Sequence, residues 1–449
     1  MALAGVLASA FLPTKSFWLD EAMSVRYAGF ERLPSVAFTD GGNFALYYLL
    51  LHGWLRLGSS DGFVRALSVI AAVLAIPCVY LVGRRLFDAR VGIFAAFLLA
   101  TNAFFISYAQ EARGYTLFVL LSLLSTFFFL DVLERRAWQP AVPYVVASTL
   151  MVYDHLFGAL VLAAHIMSAL SVFRRQLPWT RLSFCYAAIA LLAAPLALEA
   201  YRHGTEGIAW VPPLSLAALG GFFVAVSGGV LALLANAGAA TYAVLPARLP
   251  SACASRASAV TAVLIWIFVP VLACALFSLA VRPIFEARYL ITVVPMLAIL
   301  AAAGLDRLSS RPALYGALAL FALASVLGIG NAYSAPKEDW RGVAALIAAR
   351  ARPGDVVECT PAYAAIPLRH ELDALARPAP VTISTAALDG AADRLARIWV
   401  VERESTGLRS GFTEALATQA HAMTTKAAER RGVRIDRSFF SIRVRLYAR

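Results

Sequence analysis

Charge is scarce in this chain: only 15% of its 449 residues are Asp, Glu, Lys or Arg. A soluble domain carries about 25%, so an ordinary water-soluble enzyme is excluded. Cysteine is scarce too. The five cysteines (Cys78, Cys185, Cys253, Cys274 and Cys359) are scattered, four in or beside apolar runs, and they outline neither a disulfide framework nor a thiolate metal site. No internal repeat, low-complexity tract or zinc-ligand spacing occurs. The first twelve residues are apolar but have no Lys or Arg before them, so they lack the basic region of a secretory signal. As a helix they reach about 18 Å, short of the ~30 Å hydrocarbon core. The expectation is a first helix that is shortened or completed by the following loop.

Hydrophobicity is what the chain has in abundance. Apolar residues make up 61% of the chain, and the mean hydropathy is +0.73. A run of roughly 20 apolar residues spans a bilayer. Hydropathy and helix breakers place helices near 1–13, 64–83, 91–108, 114–131, 141–153, 156–173, 182–199, 214–236, 258–281, 289–305 and 312–330. The two flanking Asp154-His155 also read as one long broken helix. The fold class is therefore a polytopic α-helical membrane protein with about eleven transmembrane helices, followed by a small extra-membrane α/β domain.

The net charge of +12 is explained by loops rather than by nucleic acid. Basic residues recur in alternate loops: Arg84, Arg85 and Arg90; Arg135 and Arg136; Arg174, Arg175 and Arg181; Arg248 and Arg256; Arg307 and Arg311. The positive-inside rule assigns all five loops to the cytoplasm, and no single soluble segment gathers a nucleic-acid footprint. The intervening loops are then external. They hold Asp20-Glu21, Tyr108 to Arg113, Asp154-His155, Tyr201 to His203 with Glu206, and Glu286 to Tyr289. Any one of these is accounted for as a surface loop, but five on one face suggest a site.

Residues 1–334 are expected to form the transmembrane catalytic module, with an external loop over 14–63. Residues 335–449, which contain no apolar span, form the extracytoplasmic domain. Lys337 to Ala351 reads as a helix stopped by Pro353-Gly354. Asp355–Cys359 and Arg397–Glu402 read as strands. Phe440, Ile442, Val444 and Leu446 alternate with polar residues in the period of a half-buried strand.

Within the external set, Asp20 and Glu21 follow Phe17 and Trp18. Aromatic surface around adjacent carboxylates desolvates them, which raises a carboxylate pKa and suits a base taking a proton from a hydroxyl. The bland alternative is a solvated pair capping a short helix. Glu111 and Arg113 are two residues apart and do not share a helical face. Arg113 then serves a phosphate, and Glu111 a cation, a sugar hydroxyl or another Arg. Arg288 is expected near the start of a helix, where the dipole disfavours a cation and a bound anion relieves the conflict. The bland reading of Arg288 is snorkelling toward lipid headgroups. His155 with Asp154, and His203 with Glu206, read more simply as structural hydrogen-bond pairs.

Taken together, these motifs resemble the superfamily C (GT-C) glycosyltransferases related to the protein O-mannosyltransferases and the lipid A aminoarabinose transferase. The resemblance rests on Trp18-Leu19-Asp20-Glu21, Leu46-Tyr47-Tyr48-Leu49-Leu50, Tyr108 to Tyr115, Arg288-Tyr289-Leu290 with Pro295, and Asp339-Trp340-Arg341-Gly342 followed by Pro353-Gly354-Asp355. It extends from residue 16 to about 360; beyond that the C-terminal residues match no pattern. It implies a GT-C-like fold in a bacterial inner (plasma) membrane. It also implies inverting transfer of a sugar from a polyprenyl-phosphate donor to a lipid, glycan or protein hydroxyl. Asp20 is implied as base, with Glu21 assisting. Arg113 and Arg288 are implied as phosphate ligands, with Tyr289, Lys337 and Arg341 as weaker ones. Glu111, Tyr108, Tyr48, His155 and Glu286 are the expected supporting or substrate-binding residues. No resident cofactor is implied, and a divalent cation on Asp20, Glu21 and Glu111 is the less favoured option. A transporter or flippase for a lipid-linked or anionic substrate is the alternative, but it calls for charges near the bilayer midplane and related helical halves, which the sequence does not have.

Overall fold

A computed structural model describes residues 1–135, 137–174, 177–204, 210–245, 253–384, 395–403 and 432–448. Arg136, Arg175, Glu206 and Arg248 lie outside the described residues. Backbone contacts divide the chain into two compact units.

The first unit comprises Met1–Leu12, Phe30–Ile208 and Pro213–Ser334 and is helical. By length and composition, five helices among the described residues can cross a membrane whole: Asp61–Leu86, Tyr115–Glu134, Trp179–His203, Arg256–Ala280 and Arg311–Ser334. Two bent pairs, Ala89–Ala100 with Ala103–Ala109 and Leu216–Ser227 with Val230–Val244, raise that number to seven if each is one span. Ala141–Asp154, Gly158–Ser171 and Val293–Asp306 are apolar but shorter. The first helix is the short Ala2–Ser9, and Asp154-His155 separates two helices rather than kinking one.

The bends have identifiable causes. A break inside apolar surroundings strands backbone groups that water cannot reach. Asn102 meets that need twice over. Its side chain accepts from the Phe105 amide at 2.9 Å and donates to the carbonyls of Val226 and Ser227 at 3.0 and 3.2 Å. One amide side chain thus starts one half-helix and closes another. The second bend uses Gly228 and Gly229, whose φ values of +92° and +129° exclude other residues.

Polar groups within the helices are paired with one another. His165 bonds Thr126 at 3.1 Å through Nε2 and the Tyr144 hydroxyl at 3.3 Å through Nδ1, and Tyr144 donates to Tyr186. At one end of this unit the arginines meet acids and carbonyls. Arg85 lies 2.7 Å from Asp131 and 2.9 Å from Glu134, and Arg256 lies 3.1 Å from Asp306. Arg181 donates to the Arg135 and Ala137 carbonyls. Members of the basic loops thereby contact one another, and Arg90 joins them through the same Asp306 at 3.6 Å.

The second unit comprises Pro13–Gly29, Ala209–Pro212 and Ala335–Arg449. Its sheet has the order β2-β1-β3-β5-β4, where β1 is Asp355–Thr360, β2 Val381–Ser384, β3 Arg397–Arg403, β4 Gly432–Phe439 and β5 Ile442–Ala448. β1 runs parallel to β2 and β3, while β5 is antiparallel to β3 and β4. Helix Trp340–Arg350 begins at Asp339, whose carboxylate accepts from the Gly342 amide at 2.8 Å. Trp340, Ile347, Leu368, Trp399 and Val444 fill the core. Asp355, the first residue of β1, is buried and accepts from Arg397 and from Trp399 Nε1, each at 2.9 Å.

The segment 13–29, assigned by sequence to the external loop 14–63, packs with the C-terminal region. Lys15 donates to the Ala335 carbonyl at 2.7 Å, and Ser16 to the Glu338 carbonyl at 2.6 Å. The Phe17 ring stacks on His370 at 4.7 Å. Glu338 is itself fixed by Trp340 Nε1 at 2.7 Å and Arg403 at 2.5 Å.

Candidate active site

In the first unit the candidate residues converge around one phenylalanine. Phe44 adopts φ +61°, ψ +22° immediately before helix Ala45–Trp54. That left-handed turn, after two positive-φ glycines at 41 and 42, brings its fully buried ring into the cluster. The Arg113 guanidinium lies over it, 4.4 Å from the centroid. Tyr115 and His155 meet the same ring edge-on at 5.1 and 5.0 Å.

Arg113 follows the turn after helix Ala103–Ala109 and is 8% exposed. It donates to the Tyr48 hydroxyl at 2.8 Å, and its carbonyl accepts from Ser68 at 3.0 Å. Ser68 also bonds the Tyr47 hydroxyl. The residue after it has to be small. A Cβ on Gly114 would stand 2.6 Å from the Phe44 ring and 2.9 Å from the Asp154 carboxylate. Asp154 itself is wholly buried, with no side-chain partner for either oxygen among the described residues.

Arg288 departs from the sequence expectation. It stands in a four-residue 3-10 turn, Ala287–Leu290, and the following helix begins only at Val293. The helix dipole therefore gives no reason for an anion there. Its neighbours are local: Arg288 lies over Tyr289 at 5.8 Å and 3.7 Å from Glu286. Tyr289 packs on His155 at 5.4 Å. Tyr108 sits against Tyr115 at 4.8 Å and within the electrostatic reach of Glu111, Arg288 and Glu286. Tyr48, Tyr108, Glu111, Arg113, His155, Glu286, Arg288 and Tyr289 thus belong to one neighbourhood. Phe44, Tyr115 and Phe118, which stacks on His155 at 4.9 Å, complete it; sequence reasoning missed Phe44 and Phe118 and had Tyr115 only as the end of the motif that starts at Tyr108. The only signal for Phe44 was the Gly41-Gly42 pair before an apolar helix.

The second unit holds the remaining candidates. Asp20 and Glu21 open helix Leu19–Ala28. Glu21 is fully buried, 3.7 Å from Lys337, whereas Asp20 is half-buried and its carbonyl accepts from Ser24. Arg341 lies 3.6 Å from Glu371 and donates to the carbonyls of Pro13 and Thr14. Lys337 and Arg341 therefore contact the acidic segment and its support. Among the described residues, no three or more His, Cys, Asp or Glu side chains are grouped to hold a metal ion.

Comparison with solved structures places this architecture. ArnT from Cupriavidus metallidurans, in its crystal structure bound to undecaprenyl phosphate, superposes with a TM-score of 0.66 at 14% identity, over 99% of this chain and 96% of that one. The fold is that of the superfamily C glycosyltransferases. A second structure with this fold is the archaeal oligosaccharyltransferase AglB from Archaeoglobus fulgidus, in complex with an inhibitory peptide and a dolichol-phosphate. It gives a TM-score of 0.52 at 12% identity, over 99% of this chain and 74% of that one. Residues 45–199 match the family described as dolichyl-phosphate-mannose-protein mannosyltransferase. That stretch of the superfamily C fold contains Tyr48, Tyr108, Glu111, Arg113 and His155. No curated protein sequence matches the chain.

Proposed function

We propose that the chain transfers a sugar, with inversion, from a polyprenyl-phosphate carrier to a hydroxyl of a lipid, glycan or protein at the outer face of the bacterial inner membrane. The observation that carries this reading is the cluster in which Arg113 and Arg288 are set among aromatic rings and a tyrosine hydroxyl. Polyprenyl phosphates bound in two proteins of the same fold support it, since ArnT was solved with undecaprenyl phosphate and AglB with dolichol-phosphate.

The chemistry follows from the charges. The Asp20 carboxylate accepts the proton of the acceptor hydroxyl as that oxygen attacks the anomeric carbon from the side opposite the phosphate. The carbon–oxygen bond to phosphate breaks, and its electron pair stays on the phosphate oxygen. The leaving phosphate gains a second negative charge, which fixed guanidinium groups in a water-poor site stabilise strongly. Arg113 and Arg288 have that role here. Lys337, placed 3.7 Å from Glu21, supports the acidic segment, and Arg341 tethers its start.

The test is transfer by purified protein in lipid nanodiscs, with undecaprenyl-phosphate sugars as donors and envelope lipids as acceptors. Asp20→Asn is expected to lower turnover by about 10²–10⁴-fold, with unchanged unfolding temperature and unchanged binding of undecaprenyl phosphate. Full activity in that variant removes Asp20 as the base. Movement of the lipid between leaflets without sugar transfer supports the transporter reading instead.

A further inference from the structure

Two histidines of the helical unit are almost completely buried, and they differ in how their nitrogens are used. His165 engages both: Thr126 at Nε2 and Tyr144 at Nδ1. His155, 1% exposed, engages one. It sits in the short turn between helices Ala141–Asp154 and Gly158–Ser171, where its Nδ1 accepts from the Phe157 amide at 3.1 Å. Its Nε2 has no hydrogen-bond partner among the described residues.

The bond to the Phe157 amide fixes the tautomer. A backbone N–H can only donate, so Nδ1 carries no proton and the ring's hydrogen is on Nε2. The ring is also held neutral. Burial, and then the positive charges of Arg113 and Arg288, lower its pKa to about 3. Rings wall it in: Phe118 stacks on it at 4.9 Å, and Phe44, Phe157 and Tyr289 lie at 5.0, 5.3 and 5.4 Å. A buried N–H with no acceptor is a standing penalty, and it recurs at no nitrogen of His165. Two arginines beside it make an anionic oxygen the acceptor that the surroundings favour.

We infer that His155 donates its Nε2–H to a phosphate oxygen of the lipid carrier, as a neutral third donor beside Arg113 and Arg288. This rests on the proposed glycosyl transfer and goes beyond it in assigning His155 a direct contact with the phosphate. A neutral imidazole keeps its Nε2–H throughout the working pH range, and its bond tightens as the phosphate gains charge on release of the sugar. The contact therefore stabilises the leaving group without adding an ionisation near neutral pH.

The experiment titrates undecaprenyl phosphate into the full chain in nanodiscs and compares wild type, His155→Phe, His155→Gln and Arg288→Ala. His155→Phe keeps an aromatic ring but no donor, and it is expected to weaken binding by about tenfold or more. His155→Gln, which restores an N–H, recovers most of the affinity. Unfolding temperatures report any loss of fold. Should His155→Phe not fold, nitrogen-15 spectra of histidine-labelled wild type decide the matter. The Nε2–H signal absent from His155→Gln shifts on adding the lipid phosphate if the bond forms. Wild-type affinity in His155→Phe, or an unshifted signal, with Arg288→Ala impaired, overturns the inference and leaves the transferase reading standing. Failure of wild type to bind undecaprenyl phosphate overturns both.

Discussion

The helical unit surrounds its arginines differently at its two ends. At one end Arg85 meets Asp131 and Glu134, and Arg256 meets Asp306. Charge there is answered by charge. At the other, Arg113 lies over the Phe44 ring and donates to the Tyr48 hydroxyl, and Arg288 lies over Tyr289 and 3.7 Å from Glu286. A π face and a hydroxyl attract a guanidinium without cancelling its charge. The first arrangement ties helices together, whereas the second sets its arginines against aromatic rings. The contrast sets arginines that pair with acids across helices apart from those proposed to hold the carrier phosphate.

Substitutions can break or sharpen that contrast. The largest effect is expected from Arg288→Ala, which should weaken binding of undecaprenyl phosphate by about 2–5 kcal/mol, read by titration in nanodiscs, with little change in unfolding temperature. Arg85→Met should do the reverse. It leaves Asp131, 7% exposed, short of a donor and should destabilise the fold by about 1–3 kcal/mol, read by thermal unfolding, with unchanged lipid binding. Loss of lipid binding in Arg85→Met would erase the distinction between the ends. The smallest effect is expected in the second unit at Asp436, an exposed acid whose carboxyl pKa is lowered by its hydrogen bond from Arg443. A lowered carboxyl pKa contributes stability above the ordinary carboxylate range, and that contribution is lost as pH falls through the lowered value. Screening by water keeps it under about 0.5 kcal/mol, so the unfolding temperatures of Asp436→Asn and wild type should nearly coincide at pH 7 and converge fully in acid.

Much of the helical layout was legible because a bilayer-length apolar run between arginine clusters is a strong, local signal. Helices Tyr115–Glu134 and Arg311–Ser334 lie where hydropathy and breakers put them. The Gly228-Gly229 bend was less visible, since a glycine pair inside an apolar run is compatible with an unbroken helix. Asn102 was not legible as a bridge, because its partners at Val226 and Ser227 are more than a hundred residues away. The same limit applies to the site. Arg113 and Arg288 were marked by being cations at helix ends, but the ring beneath Arg113 comes from Phe44, whose direction depends on one left-handed residue. For Arg288 the sequence suggested a helix dipole, and the backbone there is a 3-10 turn. Nothing local in residues 13–29 announces that they pack with residues 335–449.

That pairing has a consequence in time. Lys15 and its carbonyl partner at Ala335 are 320 positions apart. At about 5–20 residues per second of synthesis, the acidic helix is made on the order of 16–64 s before the residues that hold it. A nascent chain halted just short of Trp340 already contains every helix of the first unit. It still has no Trp340 to fix Glu338 and no His370 for Phe17 to stack on. The proposed carrier site, drawn from the first unit, can mature on the ribosome, while the step proposed for Asp20 must wait for the last quarter of the chain.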